Sequence, residues 1–228
     1  MDQYTSSLLE SLRSTAGVRN VKFTAEDPCS SAAIFVWEQK NHPFKLPDDF
    51  KSFLQTCNGM TLSYDVEFRG HTFSLACMHV NGVRDLVRFP LDACSSDEKL
   101  MRSDGAPSGL PSPRPTGADG EEAVAGFSLD RTCSAGNVAM VFFPSNPEPQ
   151  VWFQDLGCRW SYVAPTFTEY FRLLAMYRGV PNWQYAFTEH GMDPVAEQWA
   201  WFLCPDRLKI GRAPRRGTID AKGPVGSL

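Results

Sequence analysis

Residues 166–191, TFTEYFRLLAMYRGVPNWQYAFTEHG, narrow the possible folds more than any other part of the chain. Thr166 followed by Glu169 is a capping-box pair, which predicts a helix start. Phe167, Tyr170, Phe171 and Leu174 recur at i, i+3, i+4 and i+7, so one face of that helix is apolar. Gly179 and Pro181 supply the stop. A second short helix is predicted from about Asn182, with Trp183 and Phe187 one turn apart, and Gly191 ends it. Asp193-Pro194 then opens a third helix, the aspartate as N-cap and the proline at the first helical position. Its expected buried stripe is Val195, Trp199, Phe202 and Leu203. So many aromatics at helical spacing need a broad surface to cover, and only a β-sheet built from the preceding residues can offer one.

Strand patterns do precede them. Thr61–Phe68 and His71–Met78 read as a pair turned at Arg69-Gly70, and Val18–Phe23 as an earlier strand. Ala123–Leu129, Asn137–Phe143, Val151–Asp155 and Cys158–Val163 read as a meander. Helices are expected at Tyr4–Ala16, on Leu8, Leu9 and Leu12, and at Ser30–Lys40, on Ala33, Ile34 and Trp37. Another lies within Leu46–Gly59, where Pro47, Asp48 and Asp49 suit a first turn. Phe50, Phe53, Leu54 and Cys57 form its stripe, and Asn58-Gly59 its stop. Val83–Val87 carries no assignable period. The expected fold is α+β: one domain over roughly residues 1–205, with a mixed or antiparallel sheet flanked by helices.

Two stretches fall outside that pattern. From Ser95 to Glu122 the chain carries Pro107, Pro111, Pro113 and Pro115 with few large apolar residues, which predicts a disordered insert over 95–122. Residues 206–228 read as a flexible basic tail. Net charge is −4, which disfavours general nucleic-acid binding. The longest apolar run, Val138–Phe143, is far below the roughly 20 residues that span a membrane. Met1-Asp2-Gln3-Tyr4 lacks the basic and apolar regions of a secretory signal. The 7 cysteines are scattered without a C-x-x-C pair, which predicts reduced thiols in an intracellular chain.

No phosphate loop, dinucleotide-binding turn, H-E-x-x-H or G-x-S-x-G is present, so neither a catalytic residue nor a cofactor or metal site is expected. Cys77 and His79 are two apart with no second pair to complete a zinc site; they read as alternate positions of a strand. Cys57 with His71 has the residue types of a nucleophile and base, but Cys57 sits on an apolar stripe and reads as core. Asp48 and Asp49 point to different helix faces and read as dipole partners rather than an acid–base pair. Asp155 reads as a turn residue, and His190 beside Glu189 as a helix-end residue.

Leu46–Gly59, with L-P-x-D-F-x-S-F and a closing N-G, resembles the signature helix of the SUKH (Smi-Knr type) superfamily. WEQKN (Trp37–Asn41), PDDFKSF (Pro47–Phe53), F-x-L-D…C (Phe127–Cys133), VWFQD (Val151–Asp155), TFTEYFRLL (Thr166–Leu174) and PNWQYAFTEHG (Pro181–Gly191) follow in that order. With Gln198-Trp199 they are similar to a family of subunits of the tubulin polyglutamylase complex, over roughly residues 1–205 apart from the insert. The resemblance implies an α+β SUKH domain and a non-catalytic scaffold or adaptor. The implied partners are a separate tubulin-tyrosine-ligase-like catalytic subunit, which uses ATP and magnesium, other complex subunits, and tubulin or microtubules. It also implies a cytoplasmic location at the cytoskeleton, centrosome or ciliary basal body. Family members carry a longer Lys/Gly/Ser/Pro-rich tail, and this chain stops at Leu228, so no tail role is carried over. The alternative is a free-standing SUKH-type protein- or peptide-binding module.

Two sets of residues are candidates for contact. Trp201 lies six residues from Val195, off the expected buried stripe, and Tyr185 stands off the Trp183/Phe187 face. Large aromatics off a buried face are expected to border a docking surface. Arg207, Lys209, Arg212, Arg215 and Arg216 are the candidate contact for an acidic partner.

Overall fold

The turn at Arg69-Gly70 forms with both residues at positive φ, +51° and +78°. That is the twist a two-residue hairpin requires. In the computed structural model, which describes residues 3–91, 114–130, 133 and 135–206, this turn joins β2 (Met60–Phe68) to β3 (His71–Val80). β1 (Val18–Ala25) pairs antiparallel with β2, giving a three-stranded sheet of order β1-β2-β3. Along β2 the side chains alternate: Met60, Leu62, Tyr64 and Val66 are buried, while Thr61, Ser63 and Asp65 are partly exposed.

The expected meander is a second sheet. β4 (Arg88–Phe89), β5 (Ala125–Asp130), β6 (Gly136–Phe142), β7 (Gln150–Asp155) and β8 (Trp160–Ala164) lie side by side in chain order. Every pairing is antiparallel, so the fold is α+β with antiparallel sheets. Within Val83–Val87, the stretch without an assignable period, Val83–Asp85 forms a short 3-10 turn.

Asn81, just beyond β3, fastens the two sheets. Its N–H donates to the Leu129 carbonyl at 2.8 Å, on the edge of β5 that β4 has just left. Its side-chain amide donates to the carbonyls of Ser128 (3.0 Å) and Asp85 (3.3 Å). With the amide nitrogen so committed, Asn81 Oδ1 accepts from His79 Nε2 at 3.0 Å, and His79 Nδ1 is left to accept from the Thr61 hydroxyl at 2.8 Å. Asn81 and His79 are both buried.

Five helices among the described residues cover the inner faces: α1 (Gln3–Ser14), α2 (Ser31–Lys40), α3 (Asp48–Thr56), α4 (Phe167–Met176) and α5 (Pro194–Leu203). The expected caps form. Thr166 Oγ1 accepts from Glu169 N at 3.2 Å, and Asp193 Oδ1 accepts from Val195 N and Ala196 N at 2.9 Å each. These bonds, with one from the Asn182 amide, hold the Asp193 carboxyl below its ordinary value. The other half of the Thr166 capping box turns away: the Glu169 carboxylate pairs with Arg172. The second short helix is a 3-10 turn, Trp183–Phe187, whose Trp183 ring stacks on Tyr177 at 5.1 Å. Trp37 Nε1 donates to the Leu86 carbonyl at 3.2 Å and pins α2 beside the second sheet, where its ring meets Phe127 at 4.8 Å.

Two expectations need correction. α5 buries Ala196, Ala200 and Leu203, whereas Val195 and Phe202 of the expected stripe are 62% and 41% exposed. This helix is apolar on more than one face, and the alanine face allows the closer approach. Cys158 is disulfide-bonded, while Cys29, Cys57, Cys77, Cys133 and Cys204 are free thiols. Pairing depends on proximity in the fold, which spacing along the chain does not reveal.

Of the expected insert, residues 95–113 lie outside the described residues. Its end, 114–122, folds back through a Thr116–Glu122 bridge, and the Glu121 carboxylate accepts from Ser145 N and its hydroxyl. Leu91, Ala123, Ala139, Val141, Phe143 and Trp152 form a second, smaller apolar cluster on the outer face of the five-stranded sheet. The tail from residue 207 onward also lies outside the described residues. Among the described residues no helix is long and apolar enough to cross a membrane.

Candidate functional site

Asp49 was expected only to face a helix dipole, but it ties α3 to α4. Its Oδ1 accepts from Phe50 N at 2.8 Å, and its Oδ2 accepts from Thr168 N and Thr168 Oγ1 at 2.8 and 2.9 Å. A carboxylate that takes three such bonds fixes the start of α4 against the start of α3. Below it Phe50, Phe53 and Phe167 pack ring on ring, with centroids 4.5–6.0 Å apart.

Clamped in this way, α3 and α4 form one wall of an open groove of about 1180 Å³. The opposite wall is α1 with Phe23 of β1, and the last described residues, Pro205 and Asp206, lie along its margin. The interior is mostly apolar, with Leu8, Phe53, Phe171 and Met176 among its lining. Of the two cations among its described lining residues, Arg178 donates to Thr15 Oγ1 and Ser11 Oγ at 2.7 and 3.2 Å, and Arg172 pairs with Glu169. The shape and chemistry suit an extended or helical polypeptide segment.

A second surface lies where α5 crosses the β2–β3 hairpin. Trp199 and Phe202 meet Phe68 and Phe73 with ring centroids 5.5–6.3 Å apart. Phe68, Phe73 and Phe202 each remain about 41–42% exposed, and Trp201 is 36% exposed on the same helix. The Arg69 guanidinium sits 5.3 Å from the Phe68 ring centre. A cluster of half-exposed aromatics beside a cation has the composition of an interface. The two docking candidates part company here. Trp201 sits on this helix, whereas Tyr185 packs edge-on to Phe153 at 5.2 Å and spends its hydroxyl on Ala135 O (3.1 Å) and Leu156 N (3.4 Å). The cations Arg207, Lys209, Arg212, Arg215 and Arg216 lie outside the described residues.

Among the described residues the titratable candidates stand apart from one another. Cys57 stands before β2 begins, and His71 opens β3 at the other end of the hairpin, roughly 25 Å away at the rise of a strand. Cys133, which accepts from Gln184 Nε2 at 3.6 Å, is pushed up to about 12 by burial and, less, by the Asp130 charge. It is therefore a protonated thiol at neutral pH, not a nucleophile. Asp155 Oδ1 accepts from Arg159 N at 2.8 Å and closes the β7–β8 turn. His190 Nε2 accepts from Arg159 Nη1 at 2.7 Å. Among the described residues no group of three His, Cys, Asp or Glu side chains is placed to hold a metal ion.

The Tyr170 hydroxyl is buried without a hydrogen-bond partner among the described residues, and burial pushes its pKa well above the ordinary value. An unsatisfied buried hydroxyl costs stability, so Tyr170→Phe is expected to be neutral or stabilising by up to about 1 kcal/mol. Thermal melting checks this; a loss of 1 kcal/mol or more would show that the hydroxyl has a partner.

Comparison with known proteins gives three results. The family model for the SMI1/KNR4 family (SUKH-1) matches residues 28–173. Curated relatives align over a longer stretch. Tubulin polyglutamylase complex subunit 2 from Homo sapiens is 29% identical over 208 residues, covering 87% of this chain and 68% of that protein. The protein of the same name from Rattus norvegicus is 29% identical over 214 residues, covering 87% of this chain and 70% of its own length. No solved structure matches the chain.

Proposed function

We propose, because the chain belongs to the SMI1/KNR4 family (SUKH-1), that it is a non-catalytic scaffold subunit of a tubulin polyglutamylase complex. The observation that carries this reading is the 29% identity over 87% of the chain to proteins of that complex. In this reading a separate tubulin-tyrosine-ligase-like subunit performs the glutamate transfer at the cytoskeleton. This chain supplies surfaces that hold the ligase and other subunits together. The aromatic face of α5, with Trp201 at its edge, is the surface for the ligase-like subunit. The cations Arg207, Lys209, Arg212, Arg215 and Arg216 contact the acidic tails of tubulin, an attraction that weakens as salt rises.

The experiment is co-purification from tubulin-rich cells. The tagged chain is expected to bring down a ligase-like protein and ATP-dependent glutamate incorporation into tubulin, while the isolated recombinant chain has neither. Trp201→Glu is expected to keep the circular dichroism and melting temperature of the parent and to lose the ligase. If Trp201→Glu still assembles, the docking surface lies elsewhere; if the parent brings down no ligase, the reading itself fails. The groove between α1, α3 and α4 favours a second reading, a free-standing SUKH-type peptide or protein binder. That reading stands if the chain is recovered from tubulin-rich cells with other proteins and without a ligase.

A further inference from the structure

We propose that the outer edge of β1 takes an extended, basic segment of a partner protein, whose alternate apolar side chains seat in the groove. The backbone sets the direction. Just past β1, Glu26 N donates to the Gly59 carbonyl at 3.2 Å and the Glu26 carbonyl accepts from Asn58 N at 3.4 Å, so both main-chain groups of Glu26 face the β2 side. In an antiparallel ladder that direction alternates from residue to residue. Thr24 therefore also faces β2, while Phe23 and Ala25 turn their N–H and C=O outward. The same alternation, carried across β2 and β3, turns Asn81 outward at the far edge, where its N–H meets the Leu129 carbonyl. Among the described residues β1 pairs with β2 alone.

Sheet edges are usually guarded, and β1 is guarded along one half. Its register slips between Arg19 and Lys22, where Asn20 is at φ +52°, and Lys22 is exposed. An irregular register and a lysine both discourage pairing there. Phe23–Ala25 carries neither, and Phe23 and Ala25 are the residues of β1 that line the groove. Their outward main-chain groups thus lie beside the apolar walls made by Leu8, Phe53, Phe171 and Met176. A strand added here takes main-chain hydrogen bonds from β1 and lays every second side chain over those walls, which are the two parts of recognition by strand addition. A helix would meet the walls and leave the edge bare.

The charge of the walls sets the sign of the segment. The described lining carries Glu26, Asp49 and Asp206 against Arg172 and Arg178. Arg172 is already paired with Glu169, and Arg178 is committed to the Thr15 and Ser11 hydroxyls. The balance is negative, so cations at the alternate positions of the added strand are attracted and carboxylates repelled. The proposal rests on the groove as a polypeptide site and needs no assembly with a ligase.

A labelled Lys-Val-Lys-Val-Lys-Val-Lys-Val peptide, titrated into the full chain, tests this by fluorescence anisotropy and amide hydrogen exchange. It is expected to bind about tenfold or more tightly than its Glu-Val counterpart. At saturation it is expected to slow exchange at the Phe23 and Ala25 amides by about tenfold or more. Ala25→Pro removes an outward N–H without touching the β2 ladder, a place where an edge strand tolerates proline. Met176→Lys puts a cation on an apolar wall at an exposed position. Each variant is expected to keep the parent's circular dichroism and to weaken peptide binding about tenfold. No binding, equal binding of the Glu-Val peptide, or unchanged exchange at Phe23 and Ala25 would overturn the proposal. So would full binding by either variant. Dimerisation of the chain without peptide, abolished by Ala25→Pro, would put a second copy on the edge and overturn it too. None of these measurements involves a ligase, so failure here leaves the scaffold reading untouched.

Discussion

Asn81→Leu is expected to destabilise the protein by about 3–5 kcal/mol, because it removes polar partners from groups that stay buried. The Ser128 carbonyl loses its donor and His79 Nε2 its acceptor, while the Asp85 carbonyl loses one bond and keeps that from Val87 N. Each buried group left without a partner costs about 1–3 kcal/mol, and leucine matches the volume without replacing any of the bonds. The backbone bond from Asn81 N to Leu129 O survives, so the sheets stay adjacent but lose their side-chain fastening. Asn81→Asp is the informative neighbour. It still accepts from His79 but presents a carboxylate oxygen to two carbonyls, so it too is expected to fall well below the parent. Urea unfolding reads both; a shift below about 1 kcal/mol for Asn81→Leu would show that the fastening lies elsewhere.

Gly82→Ala is expected to cost about 3 kcal/mol or more, through contact alone. Gly82 has an ordinary φ of −76°, which alanine adopts freely. A Cβ there, however, would sit 2.3 Å from the Asn58 carbonyl oxygen and 3.1 Å from Asn58 Oδ1. Relief requires moving the Asn58-Gly59 turn, which breaks the 2.9 Å bond from Val83 N to Asn58 Oδ1. Gly70→Ala makes the contrast, since its φ is +78° but nothing lies within 4 Å of its Cβ position. Strain alone there is expected to cost about 1 kcal/mol. Equal melting temperatures for the two variants would show that the Asn58 turn yields easily.

Gly59 and Gly82 also show what kind of feature a sequence reveals. Asn58-Gly59 was legible as a helix stop because positive φ is a local demand, and Gly59 is at +97°. That Gly82 must lie against Asn58 is a contact between segments, and nothing near Gly82 announces it. The caps at Thr166 and Asp193 were legible for the same local reason. The buried side of α5 was not, since both of its stripes are apolar and only the neighbouring surface chooses between them. Asp49 was half legible: its place in a first turn was plain, but its bonds to Thr168, 119 residues away, were not. The groove was invisible because α1, β1, α3 and α4 each contribute a few ordinary side chains to it. Trp201 is 36% exposed on α5, and Tyr185 is half-buried with its hydroxyl on the Ala135 carbonyl, a contact between distant segments that spacing along the chain does not reveal.

The small cluster on the far side of the five-stranded sheet has a practical consequence. Inner residues such as Phe127, Val138 and Phe153 join the helices, while Ala139, Val141 and Trp152 point the other way with Leu91 and Ala123. Leu91 therefore stands on the outer face of the five-stranded sheet, whereas Asp206 lines the groove. The two positions give the protein two separate addresses. A proximity-labelling enzyme inserted at the first would mark neighbours at the back of the sheet, and one fused after the second would mark those at the helical front. Comparing the two labelled sets in cells would show which side of the molecule its neighbours occupy, with no residue of the folded domain altered.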